Sequence, residues 1–160
     1  MGKYGMEIKF INLFLNSVEK TFAKVFQCEL KRGRVYFERN PLKEDNVTIL
    51  TGIVGNSHTG MVVYRMKNDT ARRMIASLDP DSANGSDRLM IYEGLGEVIN
   101  IISGNTMSQF SENDIPLNIT TPSIIAGDNI ELFTLNQTTL SADMLSPFGT
   151  MEIDLSIKHF

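Results

Sequence analysis

The chain has 160 residues, of which 42% are hydrophobic and 21% charged, the profile of one ordinary globular domain with enough apolar side chains for a real core. Its net charge of -4 and pI near 5.2 argue against nucleic acid or an anionic membrane as partner, since both need a basic patch. The densest basic stretch, Lys31-Arg32-Gly33-Arg34, reads as a solvated strand edge. A single cysteine, Cys28, leaves no internal disulfide and fits a reducing compartment such as the cytoplasm, as a structural thiol. No signal peptide is expected, because Glu7 and Asn12 break the early apolar stretch. No apolar run approaches the roughly 18 residues that span a bilayer.

Residues 4–27 have helical periodicity: Ile11, Phe14, Leu15, Val18, Phe22, Val25 and Phe26 build one apolar stripe, opposite Asn16, Glu19, Lys20 and Lys24. Strands follow at 35–38, 47–54 and 61–66, the last two joined by a Gly- and Asn-rich hairpin turn at 55–60. A short helix over 69–78 presents Ala71, Met74, Ile75 and Leu78 and runs into a polar loop at 79–86. Ser86 or Asp87 caps the next helix, which extends to about Glu112 and is stopped by Asn113, Asp114 and Pro116. Strands resume at 116–120, 123–126, 129–136 and 151–158, with a turn at Asp128-Asn129. The stretch 141–149 reads as a loop because of Pro147 and Gly149. Helix, strands, helices and strands again suggest a loose two-fold repeat of a helix-plus-strands unit. Strands in runs point to α+β, two long amphipathic helices lying on a largely antiparallel sheet.

The second long helix sorts its residues onto two opposed faces. At about 100° per residue, Ile91, Leu95, Val98, Ile99 and Ile102 gather on one side, and Glu93, Glu97, Asn100 and Gly104 on the other. Glycine costs about 1 kcal/mol in a helix relative to alanine. Gly104 on the polar face therefore suggests room for a partner, whereas Gly94 and Gly96, on the flanks, suit internal packing. The spacing Glu-x-x-Asn is weak by itself: with ten Glu and thirteen Asn, about one match is expected by chance. On those two residues alone a solvated helix face is the better reading. His58, in the predicted turn, and His159, at the tail, read as surface residues without metal-ligand spacing.

The wider pattern resembles the CheC/CheX/FliY family of chemotaxis phosphatases. Their signature is Asp or Ser, three residues, Glu, two residues, Asn, then about 22 residues and Pro. Here Glu93 stands at the Asp/Ser position, Glu97 and Asn100 match, and Pro122 follows after 21 residues. The Phe10–Phe14 opening of the first helix and the Asn100–Gly104 stretch are similar as well. No other Glu has Asn three residues later, so a single active helix is present, as in the CheX type.

That resemblance implies a CheC/CheX-like fold in one phosphatase domain over residues 1–160, acting on the phospho-aspartate of a CheY-like response regulator. Asn100 would orient the attacking water, and Glu97 would engage the regulator's active-site lysine. Glu93, Gly104 and Pro122 would contact the partner protein. The resemblance further implies no cofactor of the chain's own, Mg²⁺ being held by the regulator, and a homodimer formed at a sheet edge. The alternative reading is a non-catalytic CheC-like binding or scaffold module in chemotaxis or flagellar-switch assemblies. A third is a small-molecule sensor domain of the same outline.

Overall fold

A computed structural model describes residues 3–38, 42–43, 46–83, 88–134 and 139–159. The order is α1 (Lys3–Phe26), β1 (Lys31–Glu38), β2 (Leu42–Lys43), β3 (Val47–Gly55), β4 (His58–Met66), α2 (Asn68–Leu78), α3 (Pro80–Ala83), α4 (Arg88–Glu112), β5 (Leu117–Ile119), β6 (Ser123–Ala126), β7 (Glu131–Leu132), β8 (Thr139–Ser146) and β9 (Gly149–His159). The expected cap at Ser86 or Asp87, and the end of the strand expected over 129–136, lie outside the described residues.

The main sheet runs β1-β8-β9-β4-β3-β5, with β6 also paired to β3 and every pairing antiparallel. This order makes the repeat explicit. Exchanging α1 with α4, β1 with β5, β3 with β8 and β4 with β9 leaves the arrangement unchanged. Each half lends its first strand to the hairpin of the other half. β2 and β7, which pair with each other in a separate two-stranded sheet, obey the same exchange.

One face of the sheet carries the core. Phe10, Phe14, Phe22 and Phe26 of α1, Met74 and Ile75 of α2, and Leu95, Val98, Ile99, Ile102 and Phe110 of α4 meet Ile49, Val62, Tyr64, Met66, Ile153 and Leu155. Burial of each large apolar side chain contributes on the order of 1.5–3 kcal/mol. Alternation along the strands sends the intervening residues of β4, β8 and β9 to the opposite face. There Arg65 and Asp154 are 3% and 0% exposed. The Arg65 guanidinium donates to Asp154 at 2.6 and 3.1 Å and to Glu152 at 2.5 Å, and Ser141 donates to Asp154 at 2.5 Å. Tyr36 donates to Glu152 at 2.6 Å. A buried charge needs this density of partners.

Several expectations are corrected. The stretch 141–149 is not a loop: β8 runs through Ser146 and turns back at Pro147-Phe148 into β9. Both breakers serve that tight hairpin, Gly149 adopting φ +130° where a side chain would collide with Thr70. The basic run lies within β1, at the sheet edge as expected, so this strand starts at Lys31 rather than at residue 35. The polar loop after α2 contains the short helix α3, and Leu78 is exposed rather than packed. Strand β7 covers only Glu131–Leu132 of the longer strand expected there. Cys28 is half-buried against the core, and burial pushes its thiol pKa up.

His58 is not a surface residue. It is the first residue of β4, 2% exposed, with its ring stacked on Phe10 at 4.6 Å and edge-on to His159 at 4.5 Å. Phe10 in turn packs on Phe110 at 4.6 Å. This aromatic group ties the start of α1 and the end of α4 to the sheet.

Candidate functional site

Helix α4 is clamped on three sides. Toward α1, the hydroxyls of Thr106 and Ser17 lie 3.0 Å apart in the buried seam, and the Asn105 amide donates to Thr21 at 3.2 Å. Toward α2, a Cβ on Gly94 would press on the Ile75 side chain at 3.1 Å. That close approach explains this glycine. Toward the sheet edge, the Ile119 amide of β5 contacts the Met107 sulfur at 3.3 Å, and β6 also borders the helix.

The fourth side faces solvent. Glu93, Glu97 and Asn100 are all exposed there, with Gly104 at the next turn. A Cβ on Gly104 would meet nothing within 4 Å, so the helix surface beyond Asn100 is open to an approaching body. Gly96, expected to serve internal packing, also has nothing within 4 Å. It faces open space. Among the described residues, none hydrogen-bonds or ion-pairs with the side chains of Glu93, Glu97 or Asn100.

The pseudo-equivalent helix α1 makes the contrast clear. Its polar row is also rich in amide and carboxylate groups, but Arg32 of β1 takes them up. The guanidinium donates to Glu19 at 2.8 Å, Asn12 at 3.1 Å and Asn16 at 3.0 Å. The polar row of α1 is thereby closed by its own chain, and that of α4 is left for something else.

Pro122 does not lie on the helix. It sits in the short joint between β5 and β6, both of which pair with β3. At that joint the Thr120 amide donates to the Gly52 carbonyl at 2.9 Å, and the Thr120 hydroxyl accepts from the Gly52 amide at 2.7 Å. The side-chain oxygen thus stands in for a strand carbonyl, and the kink costs no backbone partner on Gly52. A Cβ at residue 52 would lie 3.2 Å from that hydroxyl. Asn100 and Met107 are seven residues apart and so within about 20° around the axis. The β5–β6 joint therefore borders the side of α4 toward which Asn100 leans.

Chemically, this face offers one amide and two carboxylates on a fixed helix, with no hydroxyl or thiol nucleophile among them. An amide both donates and accepts hydrogen bonds, which suits holding a water; a carboxylate suits a cation.

The protein-family model described as "Chemotaxis phosphatase CheX" matches residues 47–144. Among solved structures, a chemotaxis protein CheX from Desulfovibrio desulfuricans superposes with a TM-score of 0.81 at 20% identity, covering 94% of this chain and 99% of that one. CheX from Vibrio vulnificus gives 0.80 at 18% identity, covering 94% and 99%. The CheX-CheY-BeF3-Mg²⁺ complex from Borrelia burgdorferi gives 0.77 at 22% identity, covering 94% and 98%. No curated protein sequence matches the chain. The matched segment contains both hairpin strands β3 and β4, the whole of α4 and the joint at Pro122, and by that match the chain belongs to the CheX family of chemotaxis phosphatases.

Proposed function

We propose that the whole chain acts as one phosphatase domain that hydrolyses the phospho-aspartate of a CheY-like response regulator. Asn100 orients the attacking water and Glu97 pairs with the regulator's active-site lysine. The observation that carries this reading is the pair Glu97 and Asn100, exposed and unengaged by the described residues of the chain, on a helix held from every other side, in a chain of this family. A CheX from Borrelia burgdorferi was crystallised with CheY, BeF3 and Mg²⁺, which supports a CheY-like partner; in this reading the regulator holds the Mg²⁺ and the chain needs no cofactor of its own.

An acyl phosphate is already activated, so the reaction asks mainly for position. The water oxygen attacks phosphorus in line with the leaving oxygen, the P–O bond to the aspartate breaks, and carboxylate and inorganic phosphate result. The water proton ends on phosphate or solvent. Asn100 holds the water by its carboxamide without directing negative charge at the phosphoryl group, and no general base is needed on α4. Glu97, one turn earlier, sets the register through a charge-assisted bond. Glu93, Gly104 and Pro122 border this contact.

A homodimer and a cytoplasmic location belong to the same proposal. Edge strand β1 exposes Val35 and Phe37, at 43% and 74%, a surface that a second copy would cover. Sedimentation at micromolar concentration tests the dimer, and a monomer refutes it. The reaction is tested by phosphate release from a phosphorylated CheY-like regulator with Mg²⁺. Asn100→Ala should lower kcat by about a hundredfold or more, the scale for removing one positioned catalytic group, and Glu97→Ala should mainly weaken engagement. An Asn100→Ala variant as fast as wild type sinks the mechanism. A wild type that binds the regulator without accelerating release establishes the scaffold reading instead.

A further inference from the structure

Of the three large apolar side chains that α4 exposes, Leu89, Met90 and Ile101, two flank Glu97. Met90 and Ile101 are 44% and 45% exposed. Helical geometry places Met90, Glu97 and Ile101 within about 40° of one another, a row beside that of Glu93, Asn100 and Gly104. Ile101 follows Glu97 by one turn, about 6 Å along the axis, and Met90 precedes it by about 10 Å. Isolated exposed apolar residues need no explanation. These two, however, bracket the proposed site along its length.

We infer that Met90 and Ile101 are apolar anchors for the phosphorylated regulator, seating on its surface at either end of the Glu97–Asn100 pair; this rests on the reaction proposed above. Continuity and charge both point to this occupant. The anchors belong to the same exposed face as Asn100, and Gly104 leaves the helix open just beyond Ile101. Between residues 89 and 111 the only charged side chains of α4 are Glu93 and Glu97. The face therefore presents apolar patches around purely acidic charge, which complements the regulator lysine that the proposed reaction pairs with Glu97. Such a ring also serves the chemistry. Contacts around a polar centre exclude bulk water and strengthen the bonds inside it, and here the reaction needs one held water rather than many mobile ones.

The test compares Ile101→Asp and Met90→Asp with wild type in phosphate release from the phosphorylated regulator, and in titration with the regulator held in its BeF3 and Mg²⁺ form. Both side chains are exposed, so thermal midpoints and circular dichroism should match wild type. Each variant should raise KM and the dissociation constant by about tenfold, and a larger kcat loss should appear only for Asn100→Ala. Ile101→Leu should restore most of the affinity. Unchanged KM and affinity in both Asp variants, with wild type active, overturns this inference alone. A wild type that neither binds nor accelerates overturns the proposed reaction and this inference with it.

Discussion

The three glycines of α4 separate folding from function, because their surroundings differ. Gly96 and Gly104 have nothing within 4 Å of a prospective Cβ, whereas at Gly94 the Ile75 side chain lies at 3.1 Å. Alanine in a helix interior is favoured over glycine by about 0.8–1 kcal/mol. Gly96→Ala and Gly104→Ala should therefore each stabilise the fold by roughly that amount, or about 2–4 °C for a chain of this size. Gly94→Ala gains the same propensity but forces Ile75 aside, an overpacking cost of about 1–3 kcal/mol, so it should be neutral to destabilising. Urea unfolding with unchanged slope measures all three. Gly96 and Gly104 each stand four residues from Asn100, about 40° around the axis from it, so both variants fill open surface beside Asn100 and should raise KM several-fold, while Gly94→Ala, which faces Ile75, should leave KM unchanged. A destabilised Gly104→Ala would refute the open-face geometry, and a stabilised one with wild-type KM would refute the docking role of Gly104.

Two further predictions concern the sheet. Asp154→Ala leaves the buried Arg65 guanidinium short of its main partner and should cost about 3–5 kcal/mol in urea unfolding, whereas Arg65→Met with Asp154→Leu should recover most of it; a loss below about 1 kcal/mol for the single variant contradicts the network. Burial and the neighbouring His159 hold the His58 pKa below its ordinary value of 6.5, so the unfolded chain takes up this proton first as pH falls. The stability tied to His58 is thus present above about pH 6.5 and declines as pH falls from there toward the lowered folded value. Glu152 acts in the opposite sense, since burial raises its pKa. His58→Phe should flatten the acid side of the urea-midpoint profile relative to wild type; an unaltered slope between pH 7 and 5 argues against the buried neutral imidazole.

The long helices were legible because their apolar spacing extends over many turns, and α4 was bounded closely by Pro116 and its preceding polar residues. The site row on α4 followed from the same periodicity, but its meaning did not: Glu93, Glu97 and Asn100 read as solvated until a longer pattern joined them to Pro122. What stayed hidden was long-range. Pro147 and Gly149 signal a break without saying whether the break is a loop or a hairpin two residues wide. Arg65 and Asp154, separated by 89 residues, show no local sign of pairing. His58 looked like turn chemistry because the hairpin is tighter than its composition suggests. Nor does any spacing reveal that Arg32 seals the polar row of α1 while α4 remains open.

The seam between α1 and α4 fixes which face of α4 looks outward. Helix α4 buries Ser103 and Thr106 and exposes Met90 and Ile101, so greasiness alone discriminates weakly between one rotation of this cylinder and another. The Thr106–Ser17 and Asn105–Thr21 contacts act as a detent: a turn of one residue, about 100°, would break both and swing Glu97 off its outward bearing. With orientation held by hydroxyls and an amide at the back, the outward bearing of Glu97 does not depend on the polarity of the front.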